Sequence, residues 1–290
     1  MSNKNTGALR MPTRRSLAGA LGASTVVAAA LAAPAVAQTA SESTFERVRR
    51  TGVVRMAVLP GEVPFFRKDL ATGEWHGTAL AMARDIAGAF NAKLEYVEST
   101  YSNSVLDMQA NKIDLAFALN PTPQRALAIG FARPYYQHPF GIVSAPGFKA
   151  RTWDELNRPE VRVVSLIGSL MDNLLARYAP KATVVPAKAG DDAILLVQAG
   201  RADCISYALI QALGVSGKVP ALSQVTLLDG PRVALPSAMG VQEEPDRRWR
   251  DFLDSWTDYN RGTRQIGVWF REGLLQMGVK PENIPANADI

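Results

Sequence analysis

The chain has 290 residues, 47% of them hydrophobic and 20% charged, which supplies a sizeable core and excludes global disorder. That length fits two lobes of ordinary size. The formal charge of +5 invites a nucleic-acid reading, but the excess is local. Lys4, Arg10, Arg14 and Arg15 fall in the first 37 residues, which hold no acid, so 28 basic face 27 acidic groups in the rest. No basic stripe interleaved with aromatics remains, and no nucleic-acid partner is expected.

The first 37 residues read as an export signal. The segment Thr13-Arg14-Arg15-Ser16-Leu17 leads into a soft Gly/Ala-rich apolar run that closes on Ala35-Val36-Ala37. Paired arginines, a weakly hydrophobic core and an A-x-A site together predict a twin-arginine-type signal peptide cleaved after about Ala37, with the general secretory route as the alternative. A retained anchor is the competing reading, because the run is nearly long enough to span a membrane; its small residues favour cleavage. Cys204 is the only cysteine, so no intramolecular disulfide is expected, and no cysteine follows the signal to carry a lipid. Its apolar setting reads as a buried, inert thiol. The expectation is a soluble, monomeric protein of a bacterial periplasm.

After the signal, residues 38–50 are polar and then helical, with Ser43 or Thr44 able to cap. Residues 53–58 (VVRMAV) read as a β-strand closed by Pro60-Gly61. Residues 78–90 place apolar groups at helical spacing; 92–97 read as a second strand and 104–110 as a short helix. The stretch 112–142 follows, with a buried strand at 113–119 running into Thr122-Pro123-Gln124-Arg125. Thr122 suits an N-cap, and Pro123 suits the first helical position, where its missing N–H has no intrahelical partner. A helix start with an arginine beside it can hold an anion, because the guanidinium fork matches a carboxylate. A capped surface helix with a solvated arginine is the plainer reading of the same residues.

The pattern then begins again: a capped helix at 152–156, a strand at 161–167, a helix from Gly168-Ser169 to Tyr178, a strand at 183–186, a helix at 191–199 ended by Gly200, and a strand at 203–206. Ser169 and Asp172 are spaced like a capping box, with Asp in place of the usual Glu. Alternating strands and helices predict parallel-type α/β sheets, with ligand beyond the carboxyl ends of the strands. A short strand from Met239 and two amphipathic helices at 245–260 and 263–276 close the chain; their aromatics read as packing. Asp114 and Asp203 stand in similar positions ahead of strands, which suggests structural roles. His76 and His138 are the only histidines and lack metal-ligand spacing, and no catalytic, Walker or dinucleotide motif is present. No catalytic residue, metal or cofactor is therefore expected.

Taken in order, these pieces resemble the family-3 extracellular solute-binding proteins, the polar amino-acid-binding branch of the type II periplasmic binding fold. The carriers are F-x-R-V-R-R-T-G-V-V-R-M-A-V at 45–58, Val63-Pro64-Phe65, Thr72-Gly73-x-x-x-Gly77 and K-I-D-L-A at 112–116. Thr122-Pro123-Gln124-Arg125, F-A-R-P-Y-Y at 131–136, the run from Leu196 to Asp203, and Met239-Gly240-Val241 before the terminal helices complete the set. The likeness covers nearly all of residues 44–276. It implies a two-lobed clamp, with residues 38–142 plus 237–290 in one lobe and 143–236 in the other, serving as the substrate-binding component of an ABC-type importer. It also implies that Arg125 holds a solute carboxylate with help from Thr122 and Asn120, that Tyr101 lies near the ligand, and that Ser169 contacts it from the other jaw. A transporter permease is the implied partner. The alternatives are a cyclohexadienyl-dehydratase-like lyase, for which Asp172 is the nearest candidate acid, and a ligand sensor.

Two departures bear on the cargo. Gly77 is followed by Thr78, Ala79, Leu80 and Ala81 where relatives carry two acids. Ala208 stands near the position of the family's acid for the ligand ammonium. A buried ammonium without a counter-charge is costly, so an ordinary α-amino acid held in the usual way is not the expected cargo. Glu62 is the candidate for a displaced negative charge.

Overall fold

Helix α1 (Thr44–Thr51) starts where the Ser43 hydroxyl accepts from the Glu46 N–H, and it ends at Gly52, whose left-handed φ of +64° turns the chain into β1 (Val53–Val58). The computed structural model describes residues 42–284; the expected signal peptide and its cleavage point lie outside them. After the small hairpin of β2 (Arg67–Lys68) and β3 (Trp75–His76), α2 (Thr78–Gly88) buries Leu80, Met82, Ala83 and Ile86 beneath β1 and β4 (Lys93–Glu98). Strands β1 and β4 pair in parallel, and Met56 bridges Leu115 just ahead of β5 (Ala116–Leu119). Between them α3 (Tyr101–Gln109) is capped by the Thr100 hydroxyl. The expected helix after Thr122 is a single turn, α4 (Pro123–Ala126), followed by the short strand β6 (Gly130–Phe131).

Strand β7 (Tyr136–Ser144) carries the chain into a second α/β layer. This layer holds α5 (Trp153–Leu156), β8 (Arg162–Leu166), α6 (Leu170–Tyr178), β9 (Thr183–Ala187), α7 (Gly190–Gln198), β10 (Cys204–Ala208), α8 (Leu209–Lys218) and β11 (Gln224–Leu227). Strand β12 (Ala234–Val241) returns the chain to α9 (Arg248–Gly262) and α10 (Gln265–Gln276), which pack on α1 and α2. The large sheet runs β5-β12-β7-β10-β8-β9, with β6 on β12 and β11 on β7. Strands β7 and β12 cross between the lobes: residues 136–139 of β7 pair with β12, while residues 140–144 pair with β10. The expected boundaries at 142/143 and 236/237 fall inside these two strands.

An ion-pair device appears once in each lobe. Arg55 of β1 donates its backbone N–H and its Nη2 to Asp114 (2.7 and 2.6 Å), and its Nη1 to the Asn111 carbonyl (2.7 Å). Arg162 of β8 donates its backbone N–H and its Nη2 to Asp203 (both 2.7 Å), and its Nη1 to the Gly200 carbonyl (2.7 Å). Each aspartate thereby ties the first strand of its lobe to the turn before a later strand, the structural role its position suggested. The terminal aromatics are packing, as expected: Trp249 and Phe270 are buried, and Trp256 stacks on Trp269 with ring centroids 5.8 Å apart.

Several elements depart from the sequence reading. Helix α8 and strand β11 were not anticipated, and β12 begins at Ala234 rather than Met239. Helix α8 buries every residue from Leu209 to Val215, so it has no polar face to mark a helical period. The strand expected at 113–119 starts at Ala116, because Asp114 and Leu115 serve the contacts with β1.

Candidate functional site

Strand-to-helix corners from both lobes converge on one cleft. Asn120 and Arg125 follow β5, Ser169 and Leu170 follow β8, and Ala208 and Gln211 end β10 and open α8. Tyr101 enters from the start of α3, and His138 and Phe140, two residues apart on β7, present the same face. The space left between these groups is about 20 Å³, room for little more than one water. Ala118, Leu166, Met171 and Tyr207 complete its lining. Hydrogen bonds across it, from Arg125 to the Gly168 carbonyl and from Gln211 to Glu62, hold the cleft closed.

Arg125 spans it. Its Nη1 donates to the Asn120 carbonyl (3.1 Å) on its own lobe, and its Nη2 donates to the Gly168 carbonyl (2.9 Å) on the other. Its guanidinium thus donates to neutral carbonyls, and burial holds it below its ordinary pKa. An arginine stays charged even so, so a cation lies half-buried in the cleft, and among the described residues no acid forms a salt bridge with it. Thr122 caps α4, its Oγ1 accepting from the Arg125 N–H at 3.2 Å, and lies outside the cavity lining. Because α4 is one turn long, its dipole adds little, and the charge of the corner is the guanidinium itself. Asn120 lines the cavity with Nδ2 committed to the Pro236 carbonyl (2.7 Å).

Glu62 takes part in a buried cross-lobe network behind the lining rather than in the lining itself. Its Oε2 accepts from the Tyr101 hydroxyl (2.7 Å) and from Gln211 Nε2 (2.9 Å), while the Tyr207 hydroxyl stands 3.5 Å from Oε1. Gln211 Nε2 also donates to the Tyr101 oxygen (2.8 Å). Desolvation outweighs these hydrogen bonds and pushes the Glu62 carboxyl up to about 7, with nearby Asp191 adding to the rise.

The Ser169 hydroxyl caps α6 through the Met171 N–H (3.2 Å) and lines the cavity. The expected capping box is displaced by one residue: Asp172 accepts from the Gly168 N–H (2.9 Å) and from the Ser165 hydroxyl (2.6 Å). The acid on which a lyase reading depends is thus occupied in shaping the turn. Gly168 has φ +73°, and a Cβ there would meet Ser102 Oγ at 1.8 Å. A Cβ on Gly190, at the start of α7, would meet the Gly61 carbonyl at 2.4 Å. Gly190 thus packs against backbone and Gly168 against the Ser102 side chain, each approach leaving no room for a Cβ.

Of the residues expected at the site, Arg125, Asn120, Tyr101 and Ser169 line the cavity together, whereas Thr122 and Glu62 support it from behind. Sequence reasoning missed His138, Phe140, Tyr207 and Gln211. The alternation of His138 and Phe140 on a strand crossing between lobes is the one pattern that could have found the first two. Ala208 is buried in the lining, where relatives are expected to carry an acid. Among the described residues no group of three or more His, Cys, Asp or Glu could hold a metal, no helix is long and apolar enough to cross a membrane, and burial pushes the Cys204 thiol up.

A family model for bacterial extracellular solute-binding proteins, family 3, matches residues 54–212. No curated protein matches the sequence. Among solved structures, an amino acid ABC transporter substrate-binding protein, AbpA, from Streptococcus pneumoniae bound to L-arginine is similar at 17% identity and a TM-score of 0.73, over 81% of this chain and 99% of that one. The solute receptor for L-cysteine of Neisseria gonorrhoeae aligns at 21% identity and a TM-score of 0.73, over 85% and 98%. An ancestral amino acid-binding protein described as a precursor of cyclohexadienyl dehydratase aligns at 21% and 0.70, over 82% and 100%. These likenesses establish the two-lobed type II fold.

Proposed function

The chain belongs to the bacterial extracellular solute-binding proteins, family 3, and we propose that it is the periplasmic substrate-binding component of an ABC-type importer for a small carboxylate-bearing solute. The observation that carries this reading is Arg125, a cation in the cleft whose guanidinium donates to carbonyls from both lobes. A half-buried charge without a counter-ion is costly, and a carboxylate received on the guanidinium fork offsets that cost with two parallel hydrogen bonds. The closed cavity of about 20 Å³ is too small for such a solute, so entry requires the lobes to part. Contacts with Arg125 and Asn120 on one side and Ser169 on the other then favour reclosure. Thr122 and Glu62 hold those groups in place, and Tyr101 joins the cleft to the Glu62 network.

Binding rather than catalysis is the proposed role. Asp172 is committed to the Gly168–Ser169 turn, which supports a positioning role for the acid a lyase would need. A thermal-shift screen of the mature chain against small carboxylates tests the proposal: at least one is expected to raise the midpoint, and none should do so with Arg125→Ala. Turnover of prephenate or arogenate would overturn it in favour of an enzyme.

A further inference from the structure

His138 is 3% exposed on β7 and lines the same cavity as Arg125 and Asn120. Its ring packs edge-on against Tyr136 and Phe65, with centroids 4.6 and 5.9 Å away, so its orientation is set by packing. Its Nδ1 has no hydrogen-bond partner among the described residues. Burial pushes the imidazole down to about 3, so at any physiological pH it is neutral, with one N–H donor and one acceptor nitrogen. A buried polar atom without a partner is destabilising, and in a cleft that opens to admit a solute the missing partner can be supplied by the solute.

The charges of the lining narrow what that partner is. Arg125 is the one charged side chain lining the cavity among the described residues. No acid lines the cavity among the described residues, Ala208 contributing only a methyl, and Glu62 spends Oε2 on Tyr101 and Gln211 outside the lining. A neutral imidazole can accept a hydrogen bond from an ammonium but supplies no counter-charge, so a closed cleft would bury that cation uncompensated. A hydroxyl or oxo group carries no such cost, and a hydroxyl fits either tautomer of the ring. Phe140, Leu166, Leu170 and Met171 supply an apolar wall for the rest of the solute.

We propose that His138 is a specificity-determining residue that hydrogen-bonds a neutral oxygen substituent, so that the preferred solute is a small 2-hydroxy or 2-oxo monocarboxylate with an apolar tail rather than the matching 2-amino acid. This deepens, and rests on, the reading of Arg125 as the carboxylate anchor.

Calorimetric titration with two matched sets tests it: L-alanine, L-lactate and pyruvate, then L-leucine, L-2-hydroxyisocaproate and 2-oxoisocaproate. In at least one set an oxygenated member is expected to bind about tenfold or more tighter than the amino acid. His138→Phe should bring that ratio close to one, and His138→Asn, which keeps a hydrogen-bonding group, should restore part of it. The ratio reports discrimination, which a general loss of folding would not alter selectively; the midpoint of each unliganded variant checks folding directly. Tighter binding of the amino acids in both sets overturns this inference while leaving the Arg125 anchor in place, as does an oxygenated preference unchanged in both His138 variants. Failure of all six compounds to bind overturns this inference, and it overturns the carboxylate reading as well if no acid in the wider screen is stabilising.

Discussion

Glu62 shows how one residue couples the cleft to pH. Its folded pKa of about 7 lies above the ordinary value of 4.5, chiefly through desolvation, with Tyr101, Gln211 and Tyr207 donating to it and Asp191 opposing its charge. The folded chain therefore holds a proton that the unfolded chain releases at lower pH. That contribution is complete below about pH 4.5 and is lost as pH rises through about 7, at up to about 1.4 kcal/mol per pH unit in between. Calorimetric melting at pH 5 and pH 8 should show this loss in the wild type and not in Glu62→Gln; equal pH slopes would contradict it. Residues of this kind were unevenly legible. Arg125 and Ser169 stand at strand-to-helix corners marked by Thr-Pro and Gly-Ser, so local chemistry announced them. Glu62 meets Gln211 across 149 positions of sequence, and no local pattern foretells such a partner. His138 likewise became readable only once β7 was known to cross the cleft.

At the scale of elements, two aspartates perform the same task in different surroundings. Asp114 is fully buried and takes both Arg55 and Arg47, whose side chains are 19% and 15% exposed, whereas the Asp203 and Arg162 side chains are 23% and 39% exposed. Removing a buried partner strands the remaining charges. Asp114→Ala is therefore expected to cost about 3–5 kcal/mol in urea unfolding, and Asp203→Ala clearly less, because solvent screens its pair. Comparable losses would count against the burial argument. The strands and helices that carry these pairs were readable because Gly, Pro and capping hydroxyls punctuate them: β1 matches its expected span, and α7 stops before Gly200, whose φ is +67°. Helix α8 was not readable, for its first seven residues are all buried and leave no polar face for periodicity to detect.

For the whole molecule, closure rests on contacts that tolerate no side chain. Gly190 carries no backbone strain, yet a Cβ there would run into the Gly61 carbonyl across the cleft at 2.4 Å. Gly190→Ala should therefore shift the population toward the open form, weaken solute binding through faster release, and raise the radius of gyration of the liganded protein in solution scattering. An unchanged affinity would show that the lobes do not need this approach. The two-lobed architecture was legible because its strand–helix pattern begins a second time after residue 142, whereas the tightness of closure was not, since it depends on glycines from opposite lobes. Solute binding by the whole molecule turns on Arg125 as the anchor of a carboxylate. Its most direct measurement is a calorimetric titration of wild type and Arg125→Ala with the best-binding carboxylate and with its uncharged carboxamide. Arg125→Ala is predicted to weaken the carboxylate by about 2–5 kcal/mol, roughly 30- to 5,000-fold, with the carboxamide binding poorly to both. Equal affinity of the two proteins for the carboxylate, or a carboxamide that binds the wild type as tightly, would contradict it.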